Sequence, residues 1–128
     1  MFAGMMIGAM IDRNGTATKK ALKRSTDVMV KHVILWTLKD ELSAEEKATI
    51  KQGIKEGLEG LKDKVPGIVD IKVNINGLSS SNADLMLDST FETEDDLKAY
   101  AIHPEHVAVA DSNVRPYTKL RSCLDYEV

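Results

Sequence analysis

The stretch VKHVILWTL, Val30 to Leu38, places Val30, His32, Ile34, Trp36 and Leu38 on one side of an extended chain and Lys31, Val33, Leu35 and Thr37 on the other. Successive strand residues face opposite ways, and here both sides are largely apolar. Such a strand belongs in the middle of a sheet that is covered on both faces. Everything that follows has to supply the neighbours and the covers.

The next segment opens with Ser43 and Glu46 in capping-box spacing. Ile50, Ile54, Leu58, Leu61 and Val65 then recur at helical spacing, which predicts one long amphipathic helix closed by Pro66-Gly67. GIVDIKVNING alternates and predicts a strand with Val69, Ile71, Val73 and Ile75 inward; ADLMLDSTF predicts another with Leu85, Leu87 and Phe91 inward. Thr93 and Asp96 open a second helix carrying Leu97, Tyr100 and Ala101, and HPEHVAVADSNV adds a further helical turn or two with Pro104 at its first position. A last strand, from about Thr118 to Tyr126, sets Leu120, Ser122, Leu124 and Tyr126 on one face.

The order strand, helix, strand, strand, helix, strand is the split βαβ pattern of an α+β ferredoxin-like sandwich, with both helices on one face of a four-stranded sheet. The other face is then open, although the first and last strands are expected to be apolar on both faces. A second copy of the chain, sheet against sheet, is the simplest cover, so a homodimer is expected.

Of 128 residues, 43% are hydrophobic, enough for one cored domain and too few for two. The charge splits near Val28. Met1 to Val28 carries five basic and two acidic residues, whereas the remainder carries 12 basic against 18 acidic, a balance of −6. Residues 1–28 are therefore expected to be an extension, read as a native arm, a start upstream of the true Met29, or an anchor on a membrane surface, with TATKKALKRS as a short basic helix. The folded domain is expected to span residues 29–128.

The longest apolar run, MFAGMMIGAMI, is far shorter than the roughly 20 residues of a membrane-spanning helix. It also lacks the basic start of a secretory signal. With a formal charge of −3, nothing directs the chain to nucleic acid. Cys123 is the single cysteine, so no disulfide closes within the chain and no CxxC pair is present. A cytoplasmic protein is expected, with no partner membrane or nucleic acid.

The residues with chemical potential gather in YAIHPEHVAVAD, Tyr100 to Asp111, together with His32. His103 and His106 form an HxxH pair, but no third ligand stands at a recognisable spacing, so no metal site is expected. Glu92, Glu94, Asp95 and Asp96 read as the acidic first turn of a helix. No phosphate-binding glycine loop, nucleophile elbow or nucleotide fingerprint occurs, and no cofactor is expected. These residues also have ordinary structural readings: His103 as a helix-end residue, His32 as a core histidine with one hydrogen bond, Tyr100 as packing, and His106 as a structural residue as readily as a pocket-lining one.

MVKHVILWTLKDELS, PGIVDIKV, ADLMLDSTFET and LKAYAIHPEHVAVAD together resemble the stress-responsive A/B barrel (Dabb) family, from Met29 to about Tyr126. The resemblance implies a dimeric α+β barrel with one small-molecule pocket per chain between sheet and helices. Most members have no assigned reaction. One plant branch is a polyketide cyclase that closes a ring by aldol condensation without metal or coenzyme, using the tyrosine and histidine that match Tyr100 and His106 here. On that resemblance His106 is the base, Tyr100 the hydrogen-bond donor, and His32, His103, Ile34, Trp36 and Ile54 line the site of a small organic ligand. The long helix departs from the cyclase branch, offering Ile50, Gly53, Ile54 and Gly57 in place of large aromatic side chains, which implies a smaller or differently shaped ligand. Two other expectations stand beside this one: a non-catalytic dimer serving stress tolerance or assembly, and a cofactor-free monooxygenase of the related barrel type.

Overall fold

The computed structural model describes residues 28–128. The basic helix expected within residues 1–28 lies outside the described residues, apart from Val28. Four strands, β1 (Val30–Leu38), β2 (Ile68–Asn74), β3 (Leu85–Phe91) and β4 (Thr118–Glu127), form one antiparallel sheet in the order β2-β3-β1-β4. The helices are α1 (Ala44–Glu59), α2 (Glu94–Ile102) and α3 (Pro104–Val109). This is the ferredoxin-like α+β fold. The doubly apolar strand takes a central position, with β3 on one side and β4 on the other.

The core lies between the helices and one face of β1, β2 and β3. Trp36, Leu38, Ile54, Leu58, Leu87 and Phe91 are all buried there. Burying a side chain of this size contributes roughly 1.5–3 kcal/mol, so this layer supplies most of the driving force for folding. Ser43 accepts from the Glu46 amide at 3.1 Å while the Glu46 carboxylate accepts from the Ser43 amide at 2.8 Å, which closes the capping box and fixes where α1 starts.

Three local readings of the sequence are corrected. The helix expected to run to Val65 ends at Glu59 and tightens into a 3-10 turn, Gly60–Asp63, which still turns Leu61 inward. In β2 the register shifts between Ile68 and Asp70, so Ile68 is buried and Val69 is exposed; the irregularity exchanges the residue that strict alternation would place inside. In β4 the apolar side chains occupy one face only. Leu120, Leu124 and Tyr126 point away from the helices and are exposed, whereas Arg121, Cys123 and Asp125 share the helix-side face with Trp36, Ile34 and His32 across the ladder.

The face away from the helices is itself divided. Its β3 side is polar, with Lys31 paired to Asp88 at 2.6 Å and donating to Thr90 at 3.1 Å. Its β1–β4 side carries Leu35, Leu120, Leu124 and Tyr126, with Leu120 and Leu124 more than 60% exposed.

Gly67 joins the helical layer to the sheet with φ of +90°, and a Cβ there would meet Asp96 Cβ and Cγ at 2.6 Å. Asp96 stands in the first turn of α2, capped by Thr93, so the close approach helps seat the helix that carries Tyr100. Gly67→Ala is expected to combine left-handed backbone strain with this clash and to destabilise the domain by about 1–3 kcal/mol. Equilibrium urea unfolding of the variant against the parent measures it.

Candidate functional site

The chain breaks its helix at His103-Pro104. His103 has φ −66° and ψ 133°, an extended conformation of the kind that a following proline imposes, and it serves as both the last cap of α2 and the first cap of α3. Its Nδ1 accepts from the Glu105 amide at 3.1 Å. The structure thus places His103 as the hinge of the segment. The bend brings Tyr100 from α2 and His106 from α3 face to face, with ring centroids 4.2 Å apart and planes tilted by 34°.

Tyr100 is the hub of the site. Besides His106 it contacts Phe91 at 4.8 Å and His32 at 6.1 Å between centroids, and His32 in turn meets Phe91 edge-on at 6.3 Å. The ring is buried, and its hydroxyl oxygen has no hydrogen-bond partner among the described residues. Leaving such a group unpaired costs about 1–3 kcal/mol, which marks the position as one where packing has been kept at the expense of polar satisfaction. Burial pushes the phenol pKa well above its ordinary value, so the Tyr100 hydroxyl keeps its proton near neutrality.

The two histidines are oriented by different acceptors. His106 donates Nδ1–H to the Ala101 carbonyl at 3.1 Å, and His32 donates Nδ1–H to the Asp125 carboxylate at 2.5 Å. A carbonyl and a carboxylate only accept, so each neutral ring is fixed as the Nδ1–H tautomer with Nε2 left as a lone pair. Burial lowers the His106 pKa below 6.5; the Ala101 carbonyl pulls it upward, and Arg115, His32 and Arg121 push it down. His106 is therefore a neutral base at pH 7.

His32 is buried, while Asp125 and Cys123 stand exposed beside it on β4. Cys123 donates to Asp125 at 3.4 Å and lies 3.8 Å from His32 Nδ1. Partial burial and the Asp125 carboxylate raise its thiol pKa, so it is not a thiolate nucleophile near neutrality.

Among the remaining residues expected at the site, Ile34, Trp36 and Ile54 are packed in the hydrophobic core. A shallow depression lined by Ala48, Thr49, Gln52, Gly53 and Glu56 lies along α1 and includes none of the expected site residues. Two residues that spacing alone did not mark, Cys123 and Asp125, complete the cluster around His32. The available signal was the alternation of the last strand: once paired with β1, Asp125 stands opposite His32 and Cys123 opposite Ile34.

α3 runs on into a π turn, Ala110–Val114, which sets Asn113 against α1, where its Nδ2 donates to the Gly53 carbonyl at 3.1 Å. A Cβ on Gly57 would fall 2.7 Å from Asn113 Nδ2 and 2.9 Å from Val109 Cγ1. The small residue at position 57 is what lets the His106 segment dock closely on α1.

Residues 30–128 match the Stress Responsive A/B Barrel Domain, Dabb. The chain belongs to this family. It is also similar to a dimeric protein of unknown function with a ferredoxin-like fold from Bacteroides fragilis, at 38% identity over 78% of this chain and 96% of that one, with a TM-score of 0.74. A dimeric ferredoxin-like protein of unknown function from Thermobifida fusca (18% identity, 83% and 96% coverage, TM-score 0.65) and a hydroxynitrile lyase from Passiflora edulis (17% identity, 80% and 94% coverage, TM-score 0.62) share the fold. No match is found among curated proteins. Among the described residues of this Dabb chain, no helix is long and apolar enough to cross a membrane.

The environment of His106 gives a direct test. Its imidazole is expected to titrate with a midpoint below 6.5 in NMR pH titrations, and Arg115→Gln is expected to move that midpoint upward by removing a nearby cation.

Proposed function

We propose that this Dabb-family chain is a homodimeric protein that binds a small organic molecule beside Tyr100 and His106 and acts on it by cofactor-independent acid/base chemistry. The observation that carries the reading is the pairing, ring on ring, of a buried tyrosine with a histidine whose Nδ1 is bound to the Ala101 carbonyl, which leaves Nε2 as the lone pair of the neutral ring. His106 Nε2 removes a proton next to a carbonyl or from an alcohol. Tyr100 Oη donates a hydrogen bond to the oxygen on which negative charge develops. His32, oriented by Asp125, stands as a second polar group in the wall, and His103 holds the bend that keeps the pair together.

The fold is compatible with enzymatic activity, since a hydroxynitrile lyase shares it. Aldol-type closure or cleavage fits the same two groups. We further propose that Leu35, Leu120, Leu124 and Tyr126 meet the same residues of a second copy, in keeping with the dimeric relatives, and that the protein works in the cytoplasm with Cys123 reduced.

A thermal-shift screen of small carbonyl and hydroxy compounds tests the site. A compound that stabilises the parent is expected to bind at least about tenfold more weakly to His106→Ala, a loss of about 1.4 kcal/mol. Tyr100→Phe, which keeps the packing and removes the hydroxyl, is expected to retain binding and lose turnover. Ligands that bind all three proteins equally would exclude the pair as the site.

The dimer is tested separately. Leu124→Glu places a charge in the apolar half of the sheet and is expected to shift the protein from dimer to monomer in light scattering, with its circular dichroism unchanged.

A further inference from the structure

We propose that His32, Cys123 and Asp125 form a binding site for one divalent transition-metal ion, with zinc the best fit. This goes beyond the acid/base reading of Tyr100 and His106 and does not require it. His32 Nδ1, Cys123 Sγ and an Asp125 carboxylate oxygen all lie within 4.8 Å of one another. They bring together an imidazole, a carboxylate and a cysteine sulfur that releases its proton to solvent as the metal binds, the three donor types that zinc accepts, from two neighbouring strands whose ladder fixes their spacing.

The distances can be set against the ion. With Zn–S about 2.3 Å and Zn–N and Zn–O about 2.0–2.2 Å, tetrahedral ligands stand roughly 3.3–3.6 Å apart. The sulfur lies 3.4 Å from Asp125 Oδ1, within that range, and 3.8 Å from His32 Nδ1, just above it. Only the His32–Asp125 distance of 2.5 Å has to widen, by about 0.8 Å, as the shared proton is replaced by the metal. Asp125 is exposed on β4, so its carboxylate is free to swing by that amount, whereas His32 is held in the core.

The donor set discriminates among ions. A thiolate and an imidazole disfavour magnesium and calcium, which take oxygen ligands, and suit zinc or cobalt(II). Three protein donors leave a fourth position open, the pattern of zinc sites that bind water or a substrate rather than purely structural ones. Arg121 and His106 stand close enough to influence the site electrostatically, and a cationic Arg121 beside it favours an anionic group at the open position. Coordination at Nδ1 also moves the His32 proton to Nε2, so the metal would convert that nitrogen from an acceptor into a donor.

The experiment uses the full chain, stripped with a chelator and titrated anaerobically with cobalt(II). We expect one cobalt per chain, a near-ultraviolet thiolate-to-cobalt charge-transfer band, and displacement of cobalt by zinc. Cys123→Ser is expected to abolish the band, and Asp125→Asn to weaken binding at least about tenfold, with folding of both checked by circular dichroism. His106→Ala is expected to keep the band. Absence of the band in the parent, or stoichiometric cobalt binding that survives unchanged in Cys123→Ser, would overturn the site. The acid/base reading stands or falls instead on organic-ligand binding by His106→Ala, so the failure of one is separable from the failure of the other.

Discussion

β1 hydrogen-bonds along both of its edges, and this double pairing fixes where His32, Asp125 and the aromatic cluster meet. On one side His32 faces Ser89 of β3, and on the other it faces Asp125 of β4. The Ser89 hydroxyl donates to the His32 carbonyl at 2.7 Å within the buried layer, which ties the backbone at that point from the β3 side as well. The imidazole is thereby held against Tyr100 and Phe91 with little freedom. The β4 pairing alone brings it to a carboxylate 93 residues away in sequence, and the β3 pairing holds the other side.

The helical side meets this fixed point through a controlled break. Pro104 cannot donate a backbone hydrogen bond, and the residue before it is driven toward extended geometry, so α2 stops and α3 starts in a new direction. His103 supplies the missing cap with its own ring. Tyr100 and His106 lie six positions apart, a spacing that does not put them on one face of a continuous helix, yet their rings touch. The bend is what converts a poor helical spacing into a pair. The docking of α3 onto α1 through Asn113 and Gly57 then keeps the pair from opening.

These arrangements were legible in the sequence to different depths. The capping box, the proline at the start of α3 and the central position of VKHVILWTL follow from local chemistry that tertiary packing reinforces. The end of α1 and the inward residue of β2 do not. A 3-10 turn keeps Leu61 inside just as an α-helix would, and an irregular strand register exchanges Val69 for Ile68 without any change in composition. At the site, Tyr100, His106 and His32 announce themselves by residue type, and their resemblance to a family strengthens that. Cys123 and Asp125 carry no local motif; they gain meaning only through the β1–β4 register, which no spacing within their own strand displays.

That register also separates two tasks that β4 has to perform. Leu120, Leu124 and Tyr126 face away from the helices and extend the apolar half of the open sheet, whereas Arg121, Cys123 and Asp125 face the aromatic cluster. The side chains of a strand alternate strictly, so a slip of one residue would exchange the two sets. It would set Asp125 into the apolar half of the outer face and turn Tyr126 or Leu124 toward His32. Both losses oppose the slip at once: a charge enters an apolar surface, and the His32 imidazole loses the acceptor that fixes its tautomer. The β4 alternation is held in place by the surface suited to a second copy and by the site together, and a substitution on either face acts on the same ladder.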